Sequence, residues 1–320
     1  MILVTGGSGF IGGHLVELLA ARGEAVRCLV RPRSSLQYLR AAEFAYGDLA
    51  KGQGLEAALD GVDTVIHAAG VIKALTPEGY FEGNTKASEN LARAIGGRPI
   101  RLVHVSSLAA IGPSVDGVPI TEDAEPHPLT YYGKSKLEAE RTVRRLLPDA
   151  VIVRPPVVYG PRDTGVLQMF KSVSRGLALE IAGGDRWFSA IYVKDLVRGL
   201  VAAARSPAAA GRSYFLAHPA PVSWGGLTTA AARVMGRPAR IVRVPVAAAQ
   251  ALGYFSEVWA WIARKPGIVS REKIREALCP FWTCDTRRAA VELGFEAGTA
   301  LETGLAETLK WYKEARWLRF

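Results

Sequence analysis

Three observations along this chain predict an α/β fold built on a Rossmann-type, doubly wound parallel sheet. Short apolar runs alternate with helical patterns through the first half, as strands buried on both faces do beneath covering helices. The first run meets a glycine-rich turn, Thr5-Gly6-Gly7-Ser8-Gly9-Phe10-Ile11-Gly12, which opens a helical segment. After Gly160 the alternation breaks, which predicts a smaller C-terminal substrate-binding lobe interleaved with the sheet.

In order, strands are expected at Ile2–Thr5, Ala25–Val30, Glu43–Tyr46, Thr64–His67, Arg101–Ser106 and Val151–Arg154. Helical spacing falls at 9–22, 54–60, 78–96 and 131–147, then at Lys194–Ala204, with a seventh strand at Ser213–Leu216. Residues 1–160 with 190–220 are expected to form the dinucleotide-binding domain, and 161–189 with 221–320 the substrate-binding lobe. The richest apolar segment, Val246–Ala263, is interrupted by Gln250, Gly253 and Glu257. It barely reaches the ~20 residues of a spanning helix, so no membrane span is expected. Its Phe255, Trp259 and Trp261 suit a greasy pocket, an interface or plain core packing.

At 320 residues, 49% apolar and 22% charged, the chain has the composition of a soluble globular protein. Its net charge of +10 comes from scattered Lys and Arg without blocks or interleaved aromatics, which argues against a nucleic-acid partner. Cys28, Cys279 and Cys284 form neither a metal-ligand spacing nor a secreted disulfide framework, and the apolar run from Ile2 meets glycines at once, so it is not expected to be a signal peptide. A cytoplasmic location follows as the expectation.

The glycine turn carries a dinucleotide prediction. Gly6, Gly9 and Gly12 allow a tight turn, close approach of a pyrophosphate and close helix–strand packing, with Gly7, Phe10 and Ile11 completing the cradle. Free amides at the helix N-terminus suit the phosphates. The second strand ends at Arg31, with Arg33 beside it, where an NAD-preferring site would carry a carboxylate for the ribose. Two guanidinium groups suit a 2′-phosphate, so NADP(H) is expected in preference to NAD(H). Asp48 and Leu49 follow the third strand, Asp48 being placed either to meet the adenine amine or to hold a turn. Ala68, Ala69 and Gly70 are small enough to let the cofactor pass. His67 has no partner with metal-ligand spacing, and no metal site is expected.

Chemistry is expected at Tyr132-Gly133-Lys134-Ser135-Lys136. Tyr132 and Lys136 stand one helical turn apart on one face. A free phenol has a pKa of about 10, and an ammonium nearby would lower it and make the phenol a usable acid or base. Ser106-Ser107 closes the fifth strand at the carboxyl edge, and Tyr132 follows Ser107 by 25 residues.

With these pieces the chain resembles the extended short-chain dehydrogenase/reductases, which include nucleotide-sugar epimerases, dihydroflavonol reductases and 3β-hydroxysteroid dehydrogenases. The matching segments are TGGSGFIGGHL (5–15), GDL (47–49), HAAG (67–70), Asn84 in GNTKASENL, HVSSLAAIG (104–112), YGKSK (132–136), RPPVVYGPRD (154–163), Val193-Lys194-Asp195 and DTRRAAVELGF (285–295). The resemblance implies Tyr132 as general acid/base, Lys136 as the group that lowers its pKa and binds the nicotinamide ribose, and Ser107 as the holder of the substrate oxygen. It implies Asn84 in the active site or as a helix holder, and Ser106, Pro155, Pro156 and Val157 beside the nicotinamide. It also implies a homodimer paired through helices 78–96 and 131–147. Arg31 and the stretch 244–263 resemble the reductase and steroid-dehydrogenase branches, which act on lipophilic ketones or alcohols. Arg154, Arg162, Arg186 and Arg271 keep open a nucleotide-sugar epimerase with tightly bound NAD, and a non-catalytic nucleotide-binding subunit is a third reading.

Overall fold

The computed structural model describes residues 1–39, 42–181, 184–263 and 270–319, with the side chains of 258–262 outside that description. Trp259 and Trp261, expected in a pocket or interface, therefore have no described side-chain environment. Strands β1 (Ile2–Thr5), β2 (Val26–Val30), β3 (Glu43–Tyr46), β4 (Thr64–His67), β5 (Arg101–Val105) and β6 (Val151–Val153) come first. They are followed by β7 (Val157–Tyr159), β8 (Leu177–Ile181), β9 (Trp187–Phe188), β10 (Ala190–Tyr192) and β11 (Ser213–Tyr214). The last are β12 (Val222–Ser223), β13 (Arg240–Val244) and β14 (Phe281–Trp282).

Seven strands form one parallel sheet in the order β11-β6-β5-β4-β1-β2-β3. Chain order reverses between β1 and β4, and open sheets of this kind bind ligands at that switch point, beyond the carboxyl ends. Register brings those ends level: Thr5 pairs with His67, His67 with His104, and Val105 with Val153.

Why these runs read as strands is visible in their packing. Neighbouring residues on a strand point to opposite faces. Leu3, Val65, Leu102 and Ile152 pack with Leu91 and Val143, under helices Ala87–Ile95 and Tyr131–Leu146. Their successors Val4, Ile66, Val103 and Val153 pack on the opposite face with Leu15 and Leu200, under helices Phe10–Ala21 and Val193–Arg205. Both faces are dry, so the strands carry no polar alternation.

A separate core joins helices Gly165–Ser174, Trp224–Met235 and Leu301–Glu314 through Phe170, Leu227, Leu305 and Tyr312. Helix Arg287–Leu293, expected with the smaller lobe, instead sends Ala289 into the core beneath the main sheet, along with Phe295. The expected helix 78–96 is a composite: an α-turn at Pro77–Tyr80, a π-helical turn at Phe81–Lys86, then α-helix at Ala87–Ile95. It packs beside helix Tyr131–Leu146, whose exposed stripe carries Lys134, Glu138, Arg141 and Arg145.

Candidate active site

Backbone fills the space beside the glycine turn. A Cβ on Gly6 (φ +72°) would stand 2.6 Å from the Ala69 amide nitrogen. A Cβ on Gly12 would stand 2.2 Å from the Gly6 carbonyl oxygen. At Gly9 the same test gives 3.1 Å from the Gly6 oxygen, and the Gly9 amide donates to that oxygen at 2.9 Å. Helix Phe10–Ala21 starts at Gly9 with no side-chain cap, which leaves its first amides for an anion. On β4's side, Ala68 N donates to Thr5 O at 3.2 Å, so the loops of β1 and β4 meet where the order reverses.

Tyr132 is brought to Ser107 by a helix start that admits no side chain between them. Thr130 caps helix Tyr131–Leu146, its hydroxyl accepting from Gly133 N at 3.2 Å. A Cβ on Gly133 would lie 2.2 Å from the Ala109 carbonyl, so only glycine lets this turn approach Leu108–Ala110 so closely. Ser107 Oγ accepts from Ala109 N at 3.1 Å, and its hydroxyl is within hydrogen-bond reach of the Tyr132 phenol. Burial raises the Tyr132 pKa above that of a free phenol; hydrogen bonding with Ser107 and the Lys273 ammonium pull it back, and Glu276 raises it. Lys136 is buried, and its Nζ donates to Val105 O at 2.7 Å. Burial pushes the Lys136 ammonium down to about 8, against the pull of Glu140. Lys136 is not among the groups that shift the Tyr132 phenol in the free chain. Its charge is turned to the end of β5, and the cation acting on Tyr132 is Lys273.

Asn84 sits in the π-helical turn, the kind of irregular turn that recurs at functional sites. Its side chain accepts from Val71 N at 2.8 Å and donates to Val71 O at 3.0 Å and to Ser135 Oγ at 2.9 Å. Ser135 in turn donates to the Tyr132 carbonyl at 2.8 Å. Asn84 thus ties the loop after β4 to the backbone of Tyr132, as a positioning residue. His67 shares its ring nitrogens with Thr5 Oγ1 at 2.6 Å and Ser88 Oγ at 3.0 Å. Burial, then the Lys136 charge, push the His67 imidazole down to about 3, so it is a neutral packed histidine.

The cofactor-selector positions are open. Arg31 and Arg33 are exposed at the end of β2, and neither forms an ion pair with a described residue. Asp48 holds a turn: one carboxylate oxygen accepts from Lys51 N at 3.3 Å, while its backbone bridges to Gln53, with Leu49 half-buried beside it. Ser106 Oγ is buried with no hydrogen-bond partner among the described residues. Pro155 O accepts from Leu108 N at 2.9 Å, which sets Pro155 against the Ser107 turn, and Val157 is 44% exposed.

Two of the four arginines weighed as diphosphate ligands prove to be internal ties. Arg154 is buried, forks onto Glu140 at 2.7 and 3.1 Å, and donates to Glu122 O at 3.0 Å. Arg271 is bound to Glu257. Arg162 pairs with Glu17 and lies 4.0 Å over the Tyr38 ring, and Arg186 donates to Ile181 O and Gly184 O. Among the described residues no group of three or more His, Cys, Asp or Glu could hold a metal ion.

Sequence reading missed helix Arg271–Leu278. Lys273 Nζ lies 5.7 Å from the centre of the Tyr132 ring and 2.7 Å from Glu276 Oε2. Glu276 also accepts from Thr130 Oγ1 at 3.1 Å, and Glu272 accepts from Tyr131 N at 3.1 Å. Two carboxylates thus sit on the N-terminus that carries Tyr132, where the helix dipole favours them. Spacing within REKIREAL gives a charged helix but no sign that it docks on a segment 140 residues earlier.

Comparison with known proteins agrees with this architecture. Residues 2–217 match the model of the NAD dependent epimerase/dehydratase family. A ceramide reductase from Caulobacter vibrioides (strain NA1000 / CB15N) is 32% identical over 320 residues, covering 99% of this chain and 96% of that protein. The 4-hydroxy-2-methyl-3-oxo-4-farnesyl-3,4-dihydroquinoline-1-oxide ketoreductase of Stigmatella aurantiaca is 32% identical, covering 83% of each. Among solved structures, that of gox2253 superposes with a TM-score of 0.83 at 26% identity, covering 100% of this chain and 99% of its own. The kind of enzyme is thereby fixed as an NAD(P)-dependent reductase, dehydrogenase or epimerase. The chain belongs to the NAD dependent epimerase/dehydratase family.

Proposed function

We propose that this protein is an NADP(H)-dependent oxidoreductase that moves hydride between the nicotinamide and a ketone or secondary alcohol of a lipophilic small molecule. The observation that carries it is the approach of Ser107 to the Tyr132 phenol at the carboxyl edge of β5. The residues fit a dinucleotide: a glycine cradle that a Cβ would fill, a buried Ser106 hydroxyl without a partner among the described residues, and two unpaired arginines where a 2′-phosphate would lie.

When bound, the nicotinamide supplies hydride to the carbonyl carbon. Ser107 turns its hydroxyl proton from the phenol to the carbonyl oxygen and fixes its position. Tyr132 then donates the proton that neutralises that oxygen as negative charge builds on it. A phenol whose pKa is held above the ordinary value by burial is protonated at neutral pH, ready for the reduction direction. Lys136 offers an ammonium at the end of β5 for the nicotinamide ribose. Asn84 holds the Tyr132 turn through Ser135.

A lipophilic substrate is supported by the two relatives at 32% identity, one acting on ceramide and one on a farnesylated quinoline ketone. The nucleotide-sugar reading is weakened because Arg154 and Arg271 are already bound by Glu140 and Glu257. Residues 161–189 and 221–320 serve as the substrate side. Two copies pair through the helices at 77–95 and 131–146, whose exposed stripe alternates in charge sign at Lys134, Glu138 and Arg141 and so can meet its own copy. A cytoplasmic location fits three cysteines that form no disulfide.

Purified protein is expected to oxidise NADPH in the presence of long-chain ketones. Release of firmly held NAD on denaturation, with activity on nucleotide sugars alone, would replace this assignment with the epimerase one. Arg31→Asp with Arg33→Ser, which removes two charged donors, should raise KM for NADPH by roughly 10²- to 10⁴-fold and leave that for NADH nearly unchanged. Charge-assisted hydrogen bonds are worth about 1.5–3 kcal/mol each. Wild-type preference for NADH would overturn the cofactor assignment.

A further inference from the structure

Helix Val246–Ala263 presents a face to solvent that no part of the described chain covers. From Val246 to Ser256 it has no charged side chain. Its inward side is narrow: Ala249 is buried, and a Cβ on Gly253 would meet Ile274 at 3.2 Å. The outward side carries Ala248, Ala251, Leu252 and Phe255, with Leu252 61% and Phe255 67% exposed. Tyr254, 53% exposed, adds an amphipathic ring of the type that settles at membrane–water boundaries.

The strand that feeds this helix is basic. Between Arg237 and Ser256 the chain holds three arginines, at 237, 240 and 243, and no carboxylate. Arg240 and Arg243 are exposed, and neither forms an ion pair with a described residue. Glu180, opposite Arg243 in the β8–β13 pair, makes no ion pair with it either. Val242, 36% exposed, lies between the two arginines and pairs with Leu179 on β8, 48% exposed. An apolar helix face fed by a strand that carries unpaired arginines suits a bilayer with anionic headgroups, where buried apolar area and electrostatic attraction add.

We propose that this face of helix Val246–Ala263, with Arg240 and Arg243 on the strand that feeds it, docks the protein on an anionic lipid surface. The helix is too interrupted to cross: among the described residues no helix is long and apolar enough to span a membrane. It lies instead in the boundary layer. Its inner side rests on helix Arg271–Leu278, which carries Lys273 over the Tyr132 ring. The docked face is therefore one helix away from the proposed proton donor, a short path for a substrate that partitions into lipid.

Vesicle flotation tests this at low ionic strength. Wild-type protein should float with vesicles of phosphatidylglycerol and phosphatidylcholine, and bind pure phosphatidylcholine at least ~10-fold less, with binding falling as salt screens the arginines. Leu252→Glu with Phe255→Glu should lose vesicle binding at least ~10-fold while NADPH titration and elution volume stay as in wild type. Arg240→Glu with Arg243→Glu, which leaves the apolar face intact, should abolish the preference for anionic lipid. Protein that stays with the soluble fraction, or charge variants that float like wild type, would overturn the proposal. So would a change of oligomeric state in the Leu252/Phe255 variant, because a second copy would then be the occupant. Flotation needs no turnover, so its failure is distinct from a failed ketone assay.

Discussion

Tyr132→Phe is expected to lower kcat by roughly 10²- to 10⁴-fold, the range that a positioned general acid or base contributes. The substitution removes one oxygen and keeps the ring. The Lys273 ammonium at 5.7 Å retains its aromatic face, and the Thr130 cap and Gly133 contact are backbone features that survive. Ser107 still reaches the substrate oxygen but has no acid beside it. Cofactor affinity should change less than about threefold, because the glycine turn and Arg31 lie on other strands' ends. Stopped-flow hydride transfer with a ketone, paired with a fluorescence titration of NADPH, separates the two quantities. Turnover within a factor of three of wild type would assign proton transfer to another group. Lys136→Met distinguishes the two neighbours: loss of NADPH affinity together with kcat is expected if Lys136 holds the ribose, whereas Tyr132→Phe touches kcat alone.

The sheet was legible because strands buried on both faces must be continuous apolar runs. Ile2–Thr5, Glu43–Tyr46 and Thr64–His67 coincide with their expected limits, and the others differ by a residue or two at their ends. The glycine turn was legible because its requirement is local: a strand, a turn that excludes Cβ atoms, and a helix. What lay beyond local pattern was mispredicted or missed. A π-helical turn inside 78–96 is imposed by packing of Gly83 against Val71, where a Cβ would come within 2.3 Å of Val71 Cγ2, and no helical periodicity announces it. Arg154 suggested a phosphate ligand by its residue type alone. Only the fold shows Glu140, on helix Tyr131–Leu146, against it, and a buried guanidinium requires such a partner. Lys273 was invisible for the same reason: nothing in a charged helix specifies the tyrosine it will cover.

The surroundings of Tyr132 show the same distinction between spacing and environment. One helical turn does put Tyr132 and Lys136 on the same side, as expected. Distance along a helix says nothing about where a flexible lysine ends, and Val105 O takes the ammonium at 2.7 Å. The phenol is left to burial, to Ser107 and to a cation from a distant segment. Burial, the first of these, holds the Tyr132 phenol above its ordinary pKa in the free chain.

Gly12→Ala is expected to abolish measurable NADPH binding and to lower Tm by several degrees. A methyl group there would stand 2.2 Å from Gly6 O, 2.7 Å from Gly6 C and 2.9 Å from Gly7 Cα. All three atoms are backbone, so no flexible side chain can swing aside. Gly6 cannot retreat, because its own Cβ position is 2.6 Å from the Ala69 amide and its φ of +72° is already fixed by the turn. Relief must come from sliding helix Phe10–Ala21 away from β1, which opens the core around Leu15 and Leu19 and moves the amides that face the phosphates. Gly9→Ala supplies the graded control. Its Cβ would meet only Gly6 O, at 3.1 Å, so a shift of a few tenths of an ångström suffices and a folded protein with weakened binding is expected. Thermal melts followed by circular dichroism, with NADPH titrations of both variants, read the two effects separately. A Gly12→Ala protein that binds NADPH as wild type does would mean that the phosphates lie elsewhere, and with them the cofactor whose hydride Tyr132 is proposed to complement.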